Sequence, residues 1–134
     1  MRYILSIGTN TEPREERLRD ALQWLATLGE SFCSTPYATA PIGRDAGNER
    51  KHYQNAVVIL EYSGGEDELD PLLKAYEAGA GRTPEARLRG EVPIDIDIVI
   101  AGHRIVRPKD FSRYFFRQGF EELISLGLIG EDIN

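Results

Sequence analysis

The sequence predicts an α+β fold in which the elements follow the order β-α-β-β-α-β. Two observations support this prediction. Apolar residues alternate with a period of two in four segments, and in two intervening segments they recur at the spacing of a helix. The order is typical of a ferredoxin-like sandwich, an antiparallel sheet with helices packed on one face. At 134 residues the chain is long enough for one such domain, which we expect to span residues 1–134.

The strands are predicted from β-branched and aromatic residues that are bounded by glycine, proline or polar turns. The first strand ends at Gly8, the second is closed by Pro41, and the third is followed by a turn at residues 63–65. The fourth is rich in isoleucine, and a tight turn at residues 101–103 leads from it into a short fifth strand. The predicted bounds are 2–8, 31–38, 53–62, 92–100 and 104–106.

The helices are predicted from leucine and aromatic residues that recur every three or four positions. The first begins near Pro13 and ends at Gly29, because proline suits the first turn of a helix and glycine its end. Between the second helix and the fourth strand, the glycines and prolines of residues 79–90 predict a mobile loop. The predicted helices span residues 13–28, from Glu66 or Pro71 to Ala80, and 114–126.

The charge of the chain argues against nucleic-acid binding. The net charge is −6, which disfavours contact with a polyanion. Within residues 82–117, however, eight basic residues stand against five acids, so this segment is net positive while the remainder carries −9. A local basic excess beside carboxylates suits a small phosphate-rich ligand. On charge alone, an ordinary solvated surface is the better explanation.

Two further features predict a cytoplasmic location. The apolar run at the N-terminus is too short for a signal peptide or a membrane span, so no membrane is expected as a partner. Cys33 is the only cysteine, which excludes an intrachain disulfide and suits a reducing compartment. His52 and His103 lie far apart in sequence, which argues against a structural zinc site.

The isoleucine-rich segment, residues 92–100, places two carboxylates in a predicted strand. Side chains at alternate positions share a face, so Asp95 and Asp97 lie together, while the four isoleucines up to Ile100 line the opposite face. Aspartate is depleted from strands, and two like charges about 6–7 Å apart repel each other in a half-buried site. Mg²⁺ would offset this repulsion, because it favours one or two carboxylates together with phosphate oxygens. The alternative is an edge strand that exposes two ordinary aspartates to solvent.

Several common signatures of phosphate chemistry are absent. The sequence contains no P-loop, and residues 79–84 do not form a dinucleotide-binding glycine motif because the sixth position is Pro84. No set of nucleophile, base and orienting residue is evident. These absences favour metal-assisted transfer, in which positioning and charge neutralisation carry catalysis.

Four segments, taken in order along the chain, resemble one enzyme family. They are residues 7–10 (Ile-Gly-Thr-Asn), 37–43 (Tyr-Ala-Thr-Ala-Pro-Ile-Gly), 53–57 (Tyr-Gln-Asn-Ala-Val), and 81–82 (Gly-Arg) followed by 93–98 (Pro-Ile-Asp-Ile-Asp-Ile). Together they resemble the 6-hydroxymethyl-7,8-dihydropterin pyrophosphokinases of folate biosynthesis, over roughly residues 3–124.

The resemblance implies an enzyme that moves the β,γ-diphosphate of ATP to the hydroxymethyl group of the pterin and leaves AMP. It implies two Mg²⁺ ions bound with ATP, with Asp95 and Asp97 as their ligands and Arg82 as a catalytic residue on the nucleotide side. The partners are then two small molecules, ATP and the hydroxymethyl dihydropterin. We expect the protein to be a monomer or a weak homodimer.

The resemblance also implies two groups of binding residues. Tyr53 matches an aromatic that packs on the pterin ring, and Asn55 matches a group that pairs with the edge of that ring, since an amide offers both donor and acceptor. Phe115 matches a second stacking aromatic, a role that Phe116 could take instead. The residues implied for the pterin are Gly8, Asn10, Thr39, Ile42, Tyr53, Asn55 and Phe115, and those implied for ATP are Glu77, Arg82, Arg89 and Arg113.

The loop before the aspartates departs from the family pattern. Pro84, Arg89 and Val92 stand where the family carries an arginine, a tryptophan and another arginine. Lys109 stands in place of a histidine. These changes affect the nucleotide side more than the fold or the pterin side. We therefore expect weak activity, with a non-catalytic pterin- or nucleotide-binding module on the same fold as the alternative.

Overall fold

The computed structural model describes residues 1–41, 46–48 and 51–130. The strands within them are β1 (Arg2–Thr9), β2 (Ser31–Cys33), β3 (Tyr37–Thr39), β4 (Tyr53–Glu61), β5 (Asp95–Ala101) and β6 (Arg104–Ile105). The helices are α1 (Arg14–Ala26), α2 (Glu66–Gly79), α3 (Pro84–Leu88), α4 (Pro108–Ser112) and α5 (Tyr114–Ser125). None of the described helices is both long and apolar enough to cross a membrane.

The described strands form one antiparallel sheet in the order β2-β4-β1-β5-β6, with β3 also paired to β4. The central strand is β1, which lies between β4 and β5. Helix α1 connects β1 to the β2–β3 edge, and α2 connects β4 to β5. This order confirms the ferredoxin-like α+β fold predicted from the sequence.

The alternation along β1 decides what each face of the sheet buries. Tyr3, Leu5 and Ile7 pack on one face, where Leu18 of α1 and Leu69 of α2 join the same fully buried cluster. These two helices belong to the β-α-β-β-α-β pattern and cover one face, as predicted. Ile4, pointing the other way, belongs to a second buried cluster.

The second cluster is formed with α5, which follows the β-α-β-β-α-β pattern in sequence. Phe116, Phe120 and Leu123 of this helix pack with Ile4 and with Val57 of β4. The face of the sheet opposite α1 and α2 is therefore also covered, and we call it the α5 face. Since side chains alternate along a strand, Ser6 and Gly8 of β1 lie on this face as well.

One prediction about the isoleucine-rich strand is wrong. Between β1 and β5 the register shifts, so that Leu5 pairs with Ile98 but Ile4 pairs with Ile100, and Val99 is an extra residue. Such a bulge reverses the alternation beyond it. Ile98 accordingly packs beneath α1 and α2, whereas Ile100 packs on the α5 face.

The single strand predicted over residues 31–38 is two short strands. The segment holds one residue more than the part of β4 that it pairs with. At the interruption the Ser34 N–H donates to the Val57 carbonyl (2.8 Å), and the Ser34 hydroxyl accepts from the Val57 N–H (2.9 Å). Pro36 follows and has no N–H to give to a ladder. The ladder resumes at Tyr37.

The loop predicted over residues 79–90 contains the short helix α3. Thr83 caps this helix, since its hydroxyl accepts from the N–H of Ala86 (3.1 Å), and Pro84 occupies the first turn. The prediction of an irregular segment is therefore wrong for residues 84–88. Helix α4, which also begins at a proline, was not predicted either.

Candidate active site

The candidate site lies where three neighbouring strands bring polar residues to the same end of the sheet. Gly8 of β1 is paired with Asn55 of β4 on one side and with Asp95 of β5 on the other. Two positions back along β1, Ser6 is paired with Asp97. Three segments that are far apart in sequence thus meet in one row on the α5 face.

A cavity of about 170 Å³ opens on this row. Its volume is below the roughly 300–1,000 Å³ of sites for drug-sized ligands, so it suits one small heterocycle. Six residues predicted from the sequence line it together with Ser6 and Ala40, namely Gly8, Thr39, Tyr53, Asn55, Asp95 and Phe115.

Gly8 is required at its position because no side chain fits there. A Cβ atom at Gly8 would lie 2.8 Å from Oδ1 of Asn55 and 3.5 Å from a ring carbon of Tyr53. The first distance is shorter than the van der Waals contact distance between carbon and oxygen, so either β1 at this position or the Asn55 side chain would have to move. The absence of a side chain at Gly8 therefore lets Asn55 and Tyr53 approach β1.

Asn55 is buried and its amide is fixed by β3. Its Nδ2 donates to the hydroxyl of Thr39 (2.6 Å) and, at longer range, to the carbonyl of Tyr37 (3.4 Å). Thr39 and Asn55 are thus held together by a direct hydrogen bond across the β3–β4 pair. The orientation of the Asn55 amide in the cavity is set before any ligand arrives.

Of the two candidate aromatics, Phe115 lines the cavity and Phe116 does not. Phe116 is fully buried in the cluster beneath α5, where its ring stacks on Phe120. The backbone carbonyl of Phe115 accepts from the hydroxyl of Tyr37 (2.5 Å). Burial raises the pKa of Tyr37 to about 12, so this hydroxyl keeps its proton. The role of Phe115 as a stacking residue stays a prediction, and the geometry favours it over Phe116.

Beside the cavity, each aspartate of the pair forms an ion pair with a basic residue. Oδ1 of Asp95 accepts from a guanidinium nitrogen of Arg82 (2.5 Å), and Oδ1 of Asp97 accepts from Nζ of Lys74 (3.1 Å). A nitrogen of Arg107 lies 3.9 Å from the same oxygen of Asp97. The carboxylates are half-buried, so these ion pairs offset a repulsion that water screens only in part.

Glu77 lies buried behind the pair and connects α2 to β5. Its Oε2 accepts from the backbone N–H of Ile96 (2.7 Å) and from Lys74 (3.1 Å), and its Oε1 accepts from Arg82 (3.1 Å). Ile96 lies between the two aspartates, so Glu77 fixes the strand that presents them. These contacts hold the strand that presents Asp95 and Asp97, and the predicted role of Glu77 in ATP binding stays a prediction.

The two carboxyl groups differ in pKa. Burial, and then the charge of Asp97, raises the pKa of Asp95 from 3.8 to about 6, against the opposing effect of Arg82. Burial acts upward on Asp97 also, but Lys74 and, further down, Arg107 hold its pKa below the ordinary value. The pKa values of the two carboxyl groups are thus shifted in opposite directions.

Three other predicted residues, all in the described part of the chain, lie outside the lining of the cavity. Asn10 is buried, and its amide joins the end of β1 to the segment before β5 through Gly90 and Val92. Arg89 is exposed and pairs with Glu91 (3.0 Å). Arg113 is exposed at the start of α5, and Ile42 lies outside the described residues.

The donor set fits Mg²⁺ that arrives with a phosphate-bearing ligand. Among the described residues, no group of three or more His, Cys, Asp and Glu side chains is placed to hold a metal ion. Asp95 and Asp97 supply two carboxylates, and Mg²⁺ commonly uses one or two when phosphate oxygens and water complete its shell. The raised pKa of Asp95 indicates that the resident cations do not satisfy the pair fully.

Reasoning from the sequence missed two cations at the site, Lys74 and Arg107. Lys74 precedes Glu77 by three residues on α2, so the two share a helix face, and the prediction for Glu77 could have indicated Lys74. Arg107 follows β6 and reaches Asp97 only because β6 pairs back onto β5. No local pattern indicates that contact.

The fold and the site together define a ferredoxin-like, small-molecule-binding protein in which a ring-sized cavity adjoins a carboxylate pair. Comparison with known proteins gives the family. The family model of 7,8-dihydro-6-hydroxymethylpterin-pyrophosphokinase (HPPK) matches residues 4–125, and the chain belongs to this family. The match confirms the resemblance carried by the four sequence segments. Members of the family act on small molecules in folate biosynthesis by pyrophosphoryl transfer.

Proposed function

We propose that this chain transfers the β,γ-diphosphate of ATP to the hydroxymethyl group of 6-hydroxymethyl-7,8-dihydropterin and releases AMP. The observation that carries the proposal is the row across β4, β1 and β5. It brings a ring-sized cavity at Asn55 directly beside the carboxylate Asp95, with only Gly8 between them. An acceptor in the cavity would therefore adjoin a donor bound at the aspartates.

In this proposal the cavity residues hold the pterin. Tyr53 and Phe115 supply aromatic surface for the ring, and stacking of this kind contributes on the order of 1–3 kcal/mol per base. Asn55, whose Nδ2 is already bonded to Thr39, offers its amide oxygen to the donors on the edge of the ring. The hydroxymethyl oxygen then forms a bond to the β-phosphorus of ATP and loses its proton to solvent, while the bond from that phosphorus to the bridging oxygen breaks and AMP leaves with this oxygen.

The residues on the other side of the row hold the nucleotide. Asp95 and Asp97 would hold Mg²⁺, two ions with ATP, and the metal would neutralise charge on the phosphates. Arg82 stands beside Asp95 and is positioned to bind a phosphate through the same guanidinium that now donates to that carboxylate. Glu77 keeps the aspartate strand in place throughout.

A second candidate function is a non-catalytic binding module for the pterin or the nucleotide. The altered loop favours it, because Pro84 begins α3 and Arg89 is paired with Glu91 rather than with the aspartates. Two arginines of the family pattern are absent at positions 84 and 92. A hydrogen bond to a charged group contributes about 1.5–3 kcal/mol, so each loss would lower affinity or rate by roughly ten- to a hundredfold.

One incubation with ATP, Mg²⁺ and the hydroxymethyl dihydropterin separates the two functions, with AMP as the readout. We expect slow but detectable AMP formation and a raised KM for ATP. Asp95→Ala and Asp97→Ala should abolish it while the fold is retained in circular dichroism. Asp20→Ala is the matched control, because Asp20 is an exposed aspartate on α1.

The same assay also defines the result that would exclude the enzymatic function. Val92→Arg should raise kcat/KM about tenfold, because it returns a cation to the segment that leads into β5. Suppose instead that the chain binds the pterin but forms no AMP at millimolar Mg-ATP, and that Val92→Arg does not restore it. The binding module is then the function. Near-native turnover in either alanine variant at saturating Mg²⁺ would exclude the metal role of the aspartates.

A further inference from the structure

Lys74 is a charged residue at the site to which the family resemblance assigns no role. Its ammonium group contacts three acceptors, namely Oδ1 of Asp97 (3.1 Å), Oε2 of Glu77 (3.1 Å) and the backbone carbonyl of Ile96 (3.0 Å). Among the residues that the structure describes, it is the one cation within hydrogen-bond distance of Asp97. A metal ion that binds this oxygen of Asp97 brings a second positive charge next to the Lys74 ammonium group, and the repulsion between them favours displacement of Lys74.

The charges of the cluster are largely balanced without any metal. In the described part of the chain, the acids Asp95, Asp97 and Glu77 face three bases, Lys74, Arg82 and Arg107, although Arg107 is also shared with Asp110 (2.6 Å). A cluster with only a small net charge attracts a bare divalent cation weakly. A divalent cation bound together with polyphosphate is different, because the phosphates bring their own negative charge and can accept the displaced base.

Lys74 differs from the two arginines in its side chain rather than in its number of contacts. Arg82 also contacts three acceptors, Asp95, Glu77 and the backbone carbonyl of Ile94, but through a planar guanidinium of fixed geometry, and Arg107 is held by Asp110 (2.6 Å). The Lys74 side chain is 43% exposed and has a flexible, unbranched stem with a compact charge. Rotation of that stem moves the ammonium group from the sheet toward solvent.

We propose that Lys74 is an exchangeable counter-ion of the carboxylate pair, which holds Asp97 while no divalent cation is bound and binds the polyphosphate of the nucleotide when the metal takes its place. The inference rests on the proposed function, because it takes a metal-bound polyphosphate as the ligand. It assigns a phosphate-binding residue on α2 to a chain whose altered loop lacks two arginines of the family pattern.

The proposal predicts opposite effects on two ligands. Without Lys74, a bare metal ion no longer competes with the ammonium group at Asp97 and binds more tightly. Without Lys74, metal-bound polyphosphate loses a charged hydrogen bond and binds more weakly. A lysine that served only to stabilise the fold would lower both affinities or neither.

Lys74→Met tests this prediction, because methionine keeps an unbranched chain and removes the charge. Calorimetry would measure the binding of Mn²⁺ alone and of α,β-methylene-ATP with Mg²⁺. We expect Mn²⁺ to bind at least fivefold more tightly, and the analogue to bind about tenfold or more weakly, as loss of a charged hydrogen bond predicts. Arg104→Met is the matched control, since Arg104 pairs with Glu66 instead (2.7 Å) and its loss changes the net charge by the same amount.

Lys74→Arg keeps the charge and should keep both affinities near those of the unmutated chain, and it serves as the comparison if Lys74→Met unfolds. Affinities for Mn²⁺ and for the analogue that move in the same direction, or that do not move, overturn the proposal while the proposed function stands. If the unmutated chain binds the dihydropterin but not the analogue, the proposed function fails and this proposal fails with it.

Discussion

At the scale of single residues, the shape of the cavity depends most directly on Gly8. The position lies between Asn55 and Asp95 in the row across the sheet, and an added methyl group there would meet the Asn55 amide at 2.8 Å. Asn55 cannot yield freely, because its Nδ2 is bonded to Thr39. The side-chain hydrogen is therefore the largest substituent that β1 accepts at this point.

Gly8→Ala should weaken binding of the hydroxymethyl dihydropterin about tenfold, because it displaces Asn55 and loses a hydrogen bond worth about 0.5–1.5 kcal/mol. Titration calorimetry measures the effect. Gly79→Ala is the control, since a Cβ at this last residue of α2 meets nothing within 4 Å. Unchanged affinity in Gly8→Ala, with Asn55 in place in a crystal structure, would show that the close approach has no part in binding.

The raised pKa of Asp95 gives a second prediction at the residue scale. In the metal-free protein, the carboxyl carbon of Asp95 should titrate with a midpoint of about 6 in nuclear magnetic resonance. Asp97→Asn should lower this midpoint because it removes a neighbouring negative charge, and Arg82→Met should raise it because it removes the opposing cation. A midpoint near 4 in the unmutated protein would show that Arg82 outweighs burial and Asp97.

The same shift fixes how stability depends on pH. The folded state binds the Asp95 proton more tightly than the unfolded chain, where the pKa is about 3.9, so this group makes the protein less stable as pH rises from about 4 to about 6. Asp97 has a lowered pKa and acts in the opposite direction, because its contribution is lost as pH falls through the folded value. Asp95→Asn should remove the first effect, which urea unfolding at pH 4.5 and pH 7 would measure.

At the scale of elements, one asparagine fixes the segment that leads into β5. Asn10 donates from Nδ2 to the carbonyl of Gly90 (2.9 Å), and its Oδ1 accepts from the N–H of Val92 (2.6 Å). Its own backbone N–H donates to the carbonyl of Val92 (3.1 Å). The start of the aspartate strand is thus tied to the end of β1, and Asn10 acts on the site by holding this segment.

Asn10→Ala should speed exchange of the Val92 amide hydrogen by roughly ten- to a hundredfold, because a buried hydrogen bond whose partner is removed costs about 1–3 kcal/mol. Hydrogen-exchange mass spectrometry over residues 84–94 measures the change. Asn10→Asp should give a smaller effect, since the carboxylate still accepts from Val92 but cannot donate to Gly90. Equal protection in all three proteins would leave the segment anchored by other contacts.

The elements that the sequence predicted are those whose evidence is local. The leucines of α1 and the long apolar run of β4 signal their own structure, and the structure has them within a few residues of the predicted bounds. The break at Ser34 and the bulge at Val99 depend instead on the partner strand, which no local pattern contains. Ile100 was assigned to the wrong face for that reason.

The residues of the candidate site also fall into those that the sequence could predict and those that depend on tertiary structure. Asp95 and Asp97 were found from their alternation in one strand, and the cavity residues were found from the family resemblance. Lys74 and Arg107 reach Asp97 only through the packing of α2 and the pairing of β6, so tertiary structure was needed to see them. The amide of Asn10 is engaged with the segment before β5, a contact that the sequence did not indicate, and its role at the pterin stays a prediction.

At the scale of the whole molecule, the sheet separates two buried hydrophobic clusters. The cluster beneath α1 and α2 supports one face, and the cluster beneath α5 supports the face that carries the site. Phe115, at the edge of the second cluster, also lines the cavity. The stability of α5 and the shape of the site are therefore connected through neighbouring residues of one helix.

Phe116→Ala should lower the free energy of unfolding by about 3–5 kcal/mol, because the ring is fully buried and its loss leaves a cavity in the α5 cluster. Urea denaturation monitored by circular dichroism measures it. Leu126→Ala is the control at the end of the same helix, where the side chain is 62% exposed and the change should stay within about 0.5 kcal/mol. Comparable losses in both variants would place the Phe116 ring outside the cooperative core.

The row through Gly8 also fixes the distance between Asn55 and Asp95. Neighbouring strands of a sheet lie roughly 4.8 Å apart, so Asn55 and Asp95, one strand to either side of Gly8, are separated by about 10 Å. Hydrogen bonds on both sides of β1 keep this interval from stretching. A molecule that contacts both Asn55 and Asp95 must therefore match this fixed distance. An acceptor that is longer or shorter by one methylene would place its hydroxyl at the wrong distance from Asp95.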